Sequence, residues 1–140
     1  MLAAARICAI VPVSDVDRAI AFYGDTLGLR LIERLEDIPD NPEAVFDAGD
    51  GMLFAYRSAA AGASRATVAG FVVEDVDAAV AGLRARGVVF EDYDLPSLKT
   101  EDGIATIGPV RAAWFRDPDG NILAVEQRGR PGEVGSGATT

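Results

Sequence analysis

The chain has 140 residues, 49% hydrophobic and 25% charged, which suits a single globular core and excludes low-complexity or fibrous classes. Its net charge of −9 opposes a phosphate backbone, and no apolar run approaches a membrane span, so neither nucleic acid nor a bilayer is an expected partner. There is no histidine, the commonest metal ligand and usual general base, and the single cysteine, Cys8, excludes an internal disulfide. Met1 to Ile7 lacks the basic region and apolar segment of a secretory signal, so a cytoplasmic location is expected.

A β-branched run from Arg6 to Val13 predicts a strand that closes at Pro12. Ser14 and Asp15 are N-cap residues, and Val16, Ala19, Ile20 and Tyr23 follow helical spacing to an end near Gly24–Gly28. Leu29 to Leu35 alternates apolar and charged residues, a second strand. The stretch from Ile38 to Pro42 is turn-rich. Ala44 to Ala48 and Met52 to Arg57 read as strands joined by a tight turn at Gly49-Asp50-Gly51. Ser58 to Arg65 reads as a linker. The pattern then restarts with a strand from Ala66 to Val73 and a helix capped by Asp75, which Gly87 stops. Val88 to Glu91 predicts a strand and Tyr93 to Gly108 a long connection. Val110 to Arg116 and Asn121 to Gln127 predict strands around the turn Asp117-Pro118-Asp119-Gly120. Arg128 to Thr140, rich in glycine and polar residues, predicts a disordered tail.

The restart is an internal repeat. At an offset of 60, Val13/Val73, Asp15/Asp75, Val16/Val76, Asp17/Asp77, Ala19/Ala79 and Ala21/Ala81 are identical. At an offset of 69, Phe46/Phe115, Asp50/Asp119, Gly51/Gly120 and Ala55/Ala124 are identical. The chain therefore reads as α+β, two βαβββ modules in tandem at 6–57 and 66–127, joined by a linker at 58–65. The growth in offset places roughly nine extra residues in the second module, most simply within 93–108.

Two βαβββ modules, the start Val13-Ser14-Asp15-Val16-Asp17 leading to Phe22-Tyr23, and Asp117-Pro118-Asp119-Gly120-Asn121 before the last strand together resemble the vicinal oxygen chelate superfamily. That superfamily contains glyoxalase I, extradiol dioxygenases, fosfomycin-resistance transferases and bleomycin-resistance binding proteins. The resemblance implies a curved mixed sheet whose paired modules form a ligand-holding cup. It also implies metal-ligand positions in the first and last strand of each module, which fall here on Cys8, Val68, Ala124 and, by the repeat, Ala55. These offer one thiol and three side chains without a donor, against about three protein ligands for a catalytic divalent ion. No metal and no cofactor are therefore expected. Cys8 itself reads as a small core residue, since nothing is at hand to activate it.

If those four positions point inward, strand alternation adds Arg6, Ile10, Leu53, Arg57, Ala66, Gly70, Val72, Ile122 and Glu126 to the cup. Arg57 and Glu126 could pair at its mouth or be solvated strand ends. Trp114, the only tryptophan, is a candidate for stacking on a flat ligand or an ordinary core residue. Tyr93, Asp94 and Lys99 belong to the added connection, a candidate lid or else a shield for a sheet edge. The function expected first is metal-free binding of a small aromatic or amphiphilic molecule, by a protein that assembles as a homodimer. The alternatives are a glyoxalase- or dioxygenase-like enzyme with an atypical metal site, and a metal-independent lyase or isomerase with Glu126 as its base.

Overall fold

A computed structural model describes residues 1–36 and 42–129. The turn expected at Ile38 to Pro42, save for Pro42 itself, and nearly all of the expected tail lie outside these residues. The described chain divides into two compact units: Met1–Ala69 with Arg116–Ile122, and Gly70–Phe115 with the chain from Leu123 onward.

In the first unit, β1 (Cys8–Val13) leads into α1 (Val16–Ala19), which continues as a π-helical stretch, Ile20–Thr26. Three strands follow, β2 (Arg30–Leu35), β3 (Glu43–Ala48) and β4 (Gly51–Arg57). They make a four-stranded sheet in the order β1-β4-β3-β2, with β1 parallel to β4. Asp15 is the N-cap, accepting from the Arg18 amide at 3.1 Å. Burial alternates along β1 and β4 as one covered face requires, whereas β3 buries Ala44, Val45 and Phe46 in succession and β2 is largely exposed. Val11, Val13, Ala44, Phe46, Leu53 and Ala55 are buried, with Val16, Ala19 and Tyr23 from the helix.

In the sheet that follows, β5 (Thr67–Val72) is succeeded by α2 (Val76–Ala85), capped by Asp75 through the Ala78 amide at 3.1 Å. The repeated Asp-Val-Asp thus does the same work twice. The strand expected at 88–91 is reduced to one bridge, Phe90 to Phe115. The connection expected at 93–108 is instead strands: β6 (Asp94–Leu95), β7 (Leu98–Glu101) and β8 (Ile104–Ile107). With β9 (Val110–Arg116) and β10 (Ile122–Gln127) they form a sheet in the order β5-β10-β9-β8-β7-β6. The cause is local chemistry that periodicity does not show. Asp92 Oδ1 accepts from the Gly103 amide at 3.1 Å and from Thr100 Oγ1 at 3.2 Å, and the Tyr93 amide donates to Thr100 Oγ1 at 2.8 Å. Asp102 and Gly103, both with positive φ, turn the β7–β8 hairpin, and Arg84 donates to the Asp102 carbonyl at 2.9 Å.

Candidate functional site

The motif before the last strand is a structural lock. Asp117 and Asn121 are buried polar residues of the first unit. Asp117 Oδ2 accepts from Tyr23 Oη at 2.7 Å and Asn121 Nδ2 at 2.8 Å. Asp117 Oδ1 accepts the amides of Asp119 at 2.9 Å and Asn121 at 2.8 Å. Asn121 Nδ2 also donates to the Pro12 carbonyl at 2.7 Å, while its Oδ1 accepts the Gly62 amide at 3.0 Å. Asp119 receives the Ser14 amide at 3.0 Å, the Ser14 hydroxyl, and Arg18 Nη2 at 2.6 Å. Burial first, and the adjacent Asp117 carboxylate second, push the Tyr23 phenol far above its ordinary value. These residues hold β1, the helix and the 117–121 turn in register. All their buried side-chain polar atoms have partners within the protein, among them the Pro12 carbonyl and the Gly62 amide, which leaves none to face a ligand.

The face turned away from the helix is the candidate site of the first unit. Directly opposed residues in a sheet share a face. The β1–β4 register pairs Cys8 with Met52, Ile10 with Phe54 and Pro12 with Tyr56. The β3–β4 register adds Asp47, Val45 and Glu43 beside Met52, Phe54 and Tyr56. From β2, Arg30 lies beside Asp47, Glu33 beside Val45 and Leu35 beside Glu43. The result is an apolar, aromatic half on β1 and β4 and a charged half on β2 and β3.

Leu53, Ala55 and Arg57, expected on this face with Cys8 and Ile10, lie on the other one. They pair with Ala9, Val11 and Val13, and Leu53 and Ala55 are 2% and 0% exposed. The error lies in the turns. The β3–β4 hairpin closes at Ala48 and Gly51 around two residues. The β9–β10 hairpin closes where the Asp117 amide donates to the Asn121 carbonyl at 3.0 Å, around three residues. One extra residue in a turn moves every following side chain to the opposite face. Ile122, Ala124 and Glu126 therefore correspond to Met52, Phe54 and Tyr56, an offset of 70 rather than 69.

The second unit shows the same parity. Gln127 Oε1 accepts the Val76 amide at the start of α2 at 3.0 Å, which turns Leu123 and Val125, of matching parity, toward that helix, although Ala124 of the other parity is buried as well. Trp114, Ala124 and Glu126 accordingly face away from α2, and Trp114 meets Tyr93 edge-on, ring centroids 5.7 Å apart. Glu126, the one candidate base, is held by Arg128 Nε at 2.7 Å. Val68 alternates with the buried Ala69, while Arg6 and Ala66 precede the strands, so strand alternation does not govern them. Asp94 and Lys99 are paired across β6 and β7, and the candidate lid is thus strand structure built onto the sheet beyond β9.

With the parity corrected, the four metal-ligand positions implied by the resemblance are Cys8, Phe54, Val68 and Ala124. They supply one thiolate donor, a set that does not fit a divalent ion. Among the described residues, no three His, Cys, Asp or Glu side chains gather in a metal-holding group, and no helix is long and apolar enough to cross a membrane.

The family described as the Glyoxalase/Bleomycin resistance protein/Dioxygenase superfamily matches residues 5–125. The chain belongs to that superfamily, the vicinal oxygen chelate fold. Among solved structures it is similar to TnmS3, an antibiotic binding protein from Streptomyces sp. CB03234, with 26% identity, a TM-score of 0.63, and coverage of 89% of this chain and 97% of that one. A glyoxalase/bleomycin resistance protein from Streptomyces sp. CB03234 is 27% identical, with a TM-score of 0.61 and coverage of 84% and 96%. The fosfomycin resistance protein FosX from Mesorhizobium loti, at 15% identity, a TM-score of 0.63 and coverage of 95% and 98%, shares the fold. No curated protein sequence matches.

Proposed function

We propose that the protein binds a small aromatic or amphiphilic molecule on the first unit's sheet face turned away from the helix, without a metal ion. The observation that carries this reading is the side-chain set at the implied ligand positions: Phe54, Val68 and Ala124 bring no donor atom, and Cys8 brings a single sulfur. Around Phe54 the face is apolar and partly open, with Ile10 58% exposed beside it. Such surface is better used on a flat or amphiphilic ligand than left in water. The similarity to an antibiotic binding protein at 26% identity supports the same reading. Glu126, tied to Arg128, is poorly placed to act as a free base.

The test is a thermal-shift and calorimetric screen of aromatic and amphiphilic compounds, run with a chelator and again with added Mn²⁺ or Zn²⁺. Binding that is unchanged by chelator is the expected result. Stoichiometric co-purifying metal whose removal abolishes binding, or turnover by the metal-loaded protein alone, overturns the reading.

A further inference from the structure

We propose that Asp50 is a site of spontaneous isomerisation to an isoaspartyl linkage, and that the fold shields the chain's other Asp-Gly pairs from the same reaction. The sequence holds three such pairs, Asp50-Gly51, Asp102-Gly103 and Asp119-Gly120. A glycine after aspartate leaves its amide nitrogen open to the carboxyl, because no Cβ stands in the way. The glycine nitrogen forms a bond to the Cγ of the neutral carboxyl, and the hydroxyl leaves as water with the amide proton. Water then adds to the cyclic imide. Opening at Cγ restores aspartate, and opening at the α-carbonyl leaves the main chain running through Cβ and Cγ. One water leaves and one returns, so no other reactant is needed.

Ring closure needs a carboxyl free to turn and an amide free to attack. At Asp119 the carboxylate is occupied. It accepts from the Ser14 amide, the Ser14 hydroxyl and Arg18, and its side chain is 9% exposed. Gly62 also packs over this turn, against the Asp119 carbonyl and the Gly120 Cα. At Asp102 it is the amide that is occupied. The Gly103 amide donates to Asp92 Oδ1 at 3.1 Å, and Arg84 holds the Asp102 carbonyl at 2.9 Å. Asp50 has neither restraint. It is exposed, and its side chain makes no hydrogen bond or ion pair among the described residues. Gly51 closes the β3–β4 hairpin opposite Ala48, yet the tip is unpacked: a Cβ on Gly49 would meet nothing within 4 Å. An exposed tip of this kind belongs to the parts of a fold that open at least cost.

The consequence is structural. An isoaspartyl residue adds one atom to the main chain of a hairpin that closes between Ala48 and Gly51. The turn then no longer matches the twist of its strands. Those strands carry Ala44, Phe46, Leu53 and Ala55 into the core.

In the experiment the full chain is incubated in mildly acidic buffer, folded and in urea. Isoaspartate at each pair is quantified by peptide mass spectrometry, and by endoproteinase Asp-N, which cuts before aspartate but not before isoaspartate. In the folded protein Asp50 should convert several-fold faster than Asp102 and Asp119. In urea the three rates should converge. Gly51→Ala puts a Cβ in ordinary contact, 3.6 Å from the Ala48 carbonyl oxygen, so it should fold and slow Asp50 several-fold. Asp92→Ala should speed conversion at Asp102 alone. The isoaspartyl form, separated by chromatography, should unfold at lower urea than the parent. Asp50 converting no faster than the other two in the folded protein, or keeping its lead in urea, overturns the proposal. An Asp92→Ala variant in which Asp102 stays as slow overturns the shielding, and an isoaspartyl form with the parent's midpoint overturns the structural consequence.

Discussion

Replacing Asp117 by alanine should cost more stability than any other single polar change in the first unit. The carboxylate is 5% exposed and accepts four hydrogen bonds, from Tyr23 Oη, Asn121 Nδ2 and the amides of Asp119 and Asn121. Alanine leaves the Tyr23 hydroxyl, in a side chain that is 0% exposed, and the Asn121 amide with no acceptor. Asn121 Nδ2 keeps the Pro12 carbonyl, so it is only half deprived. At about 1–3 kcal/mol for each orphaned buried donor, two donors give a loss of about 2–6 kcal/mol. That is a large part of the 5–15 kcal/mol by which folded domains are usually stable. Tyr23→Phe removes donor and demand together and should cost only about 1 kcal/mol. The assay is urea denaturation followed by circular dichroism, comparing midpoints at unchanged slope. An Asp117→Ala loss below about 1 kcal/mol, or a Tyr23→Phe loss equal to it, refutes the claim that the turn is held by this carboxylate.

Gly62, at φ +71°, would carry a Cβ 2.0 Å from the Asp119 carbonyl oxygen, so Gly62→Ala should lower stability by more than about 1–2 kcal/mol, and an unchanged urea midpoint would contradict the packing. Ala55→Lys should destabilise by several kcal/mol because that face is covered, whereas Phe54→Lys, on the open face, should cost far less; the reverse order in the same urea assay would restore the offset of 69. Tyr23 is protonated in both states below pH 10. Above pH 10 only the unfolded chain releases its proton, so stability should fall by at most about 1.4 kcal/mol per pH unit for this residue, and a pH series in which Tyr23→Phe falls as steeply as the parent would reject the assignment.

Much of the architecture was legible because it is written twice. The Asp15 and Asp75 caps hold their helices by the same amide bond, and the paired Phe46 and Phe115 are both buried. What failed was counting through turns. A match of Asp50-Gly51 to Asp119-Gly120 aligns residue types, yet the number of residues a hairpin encloses depends on which amide meets which carbonyl. A single residue was enough to send Leu53 and Ala55 to the covered face and bring Met52, Phe54 and Tyr56 to the open one. The strands within the 93–108 connection were not legible for a related reason. Its strands are two to four residues long, below the length at which alternation is visible, and they depend on Asp92, Thr100 and Arg84 gripping a turn at Asp102-Gly103. The charge pattern of the open face was hidden by the same parity. Glu33, Arg34 and Glu36 read as one mixed run along β2 until the register sends Arg34 to Asp17 and leaves Glu33 beside Val45.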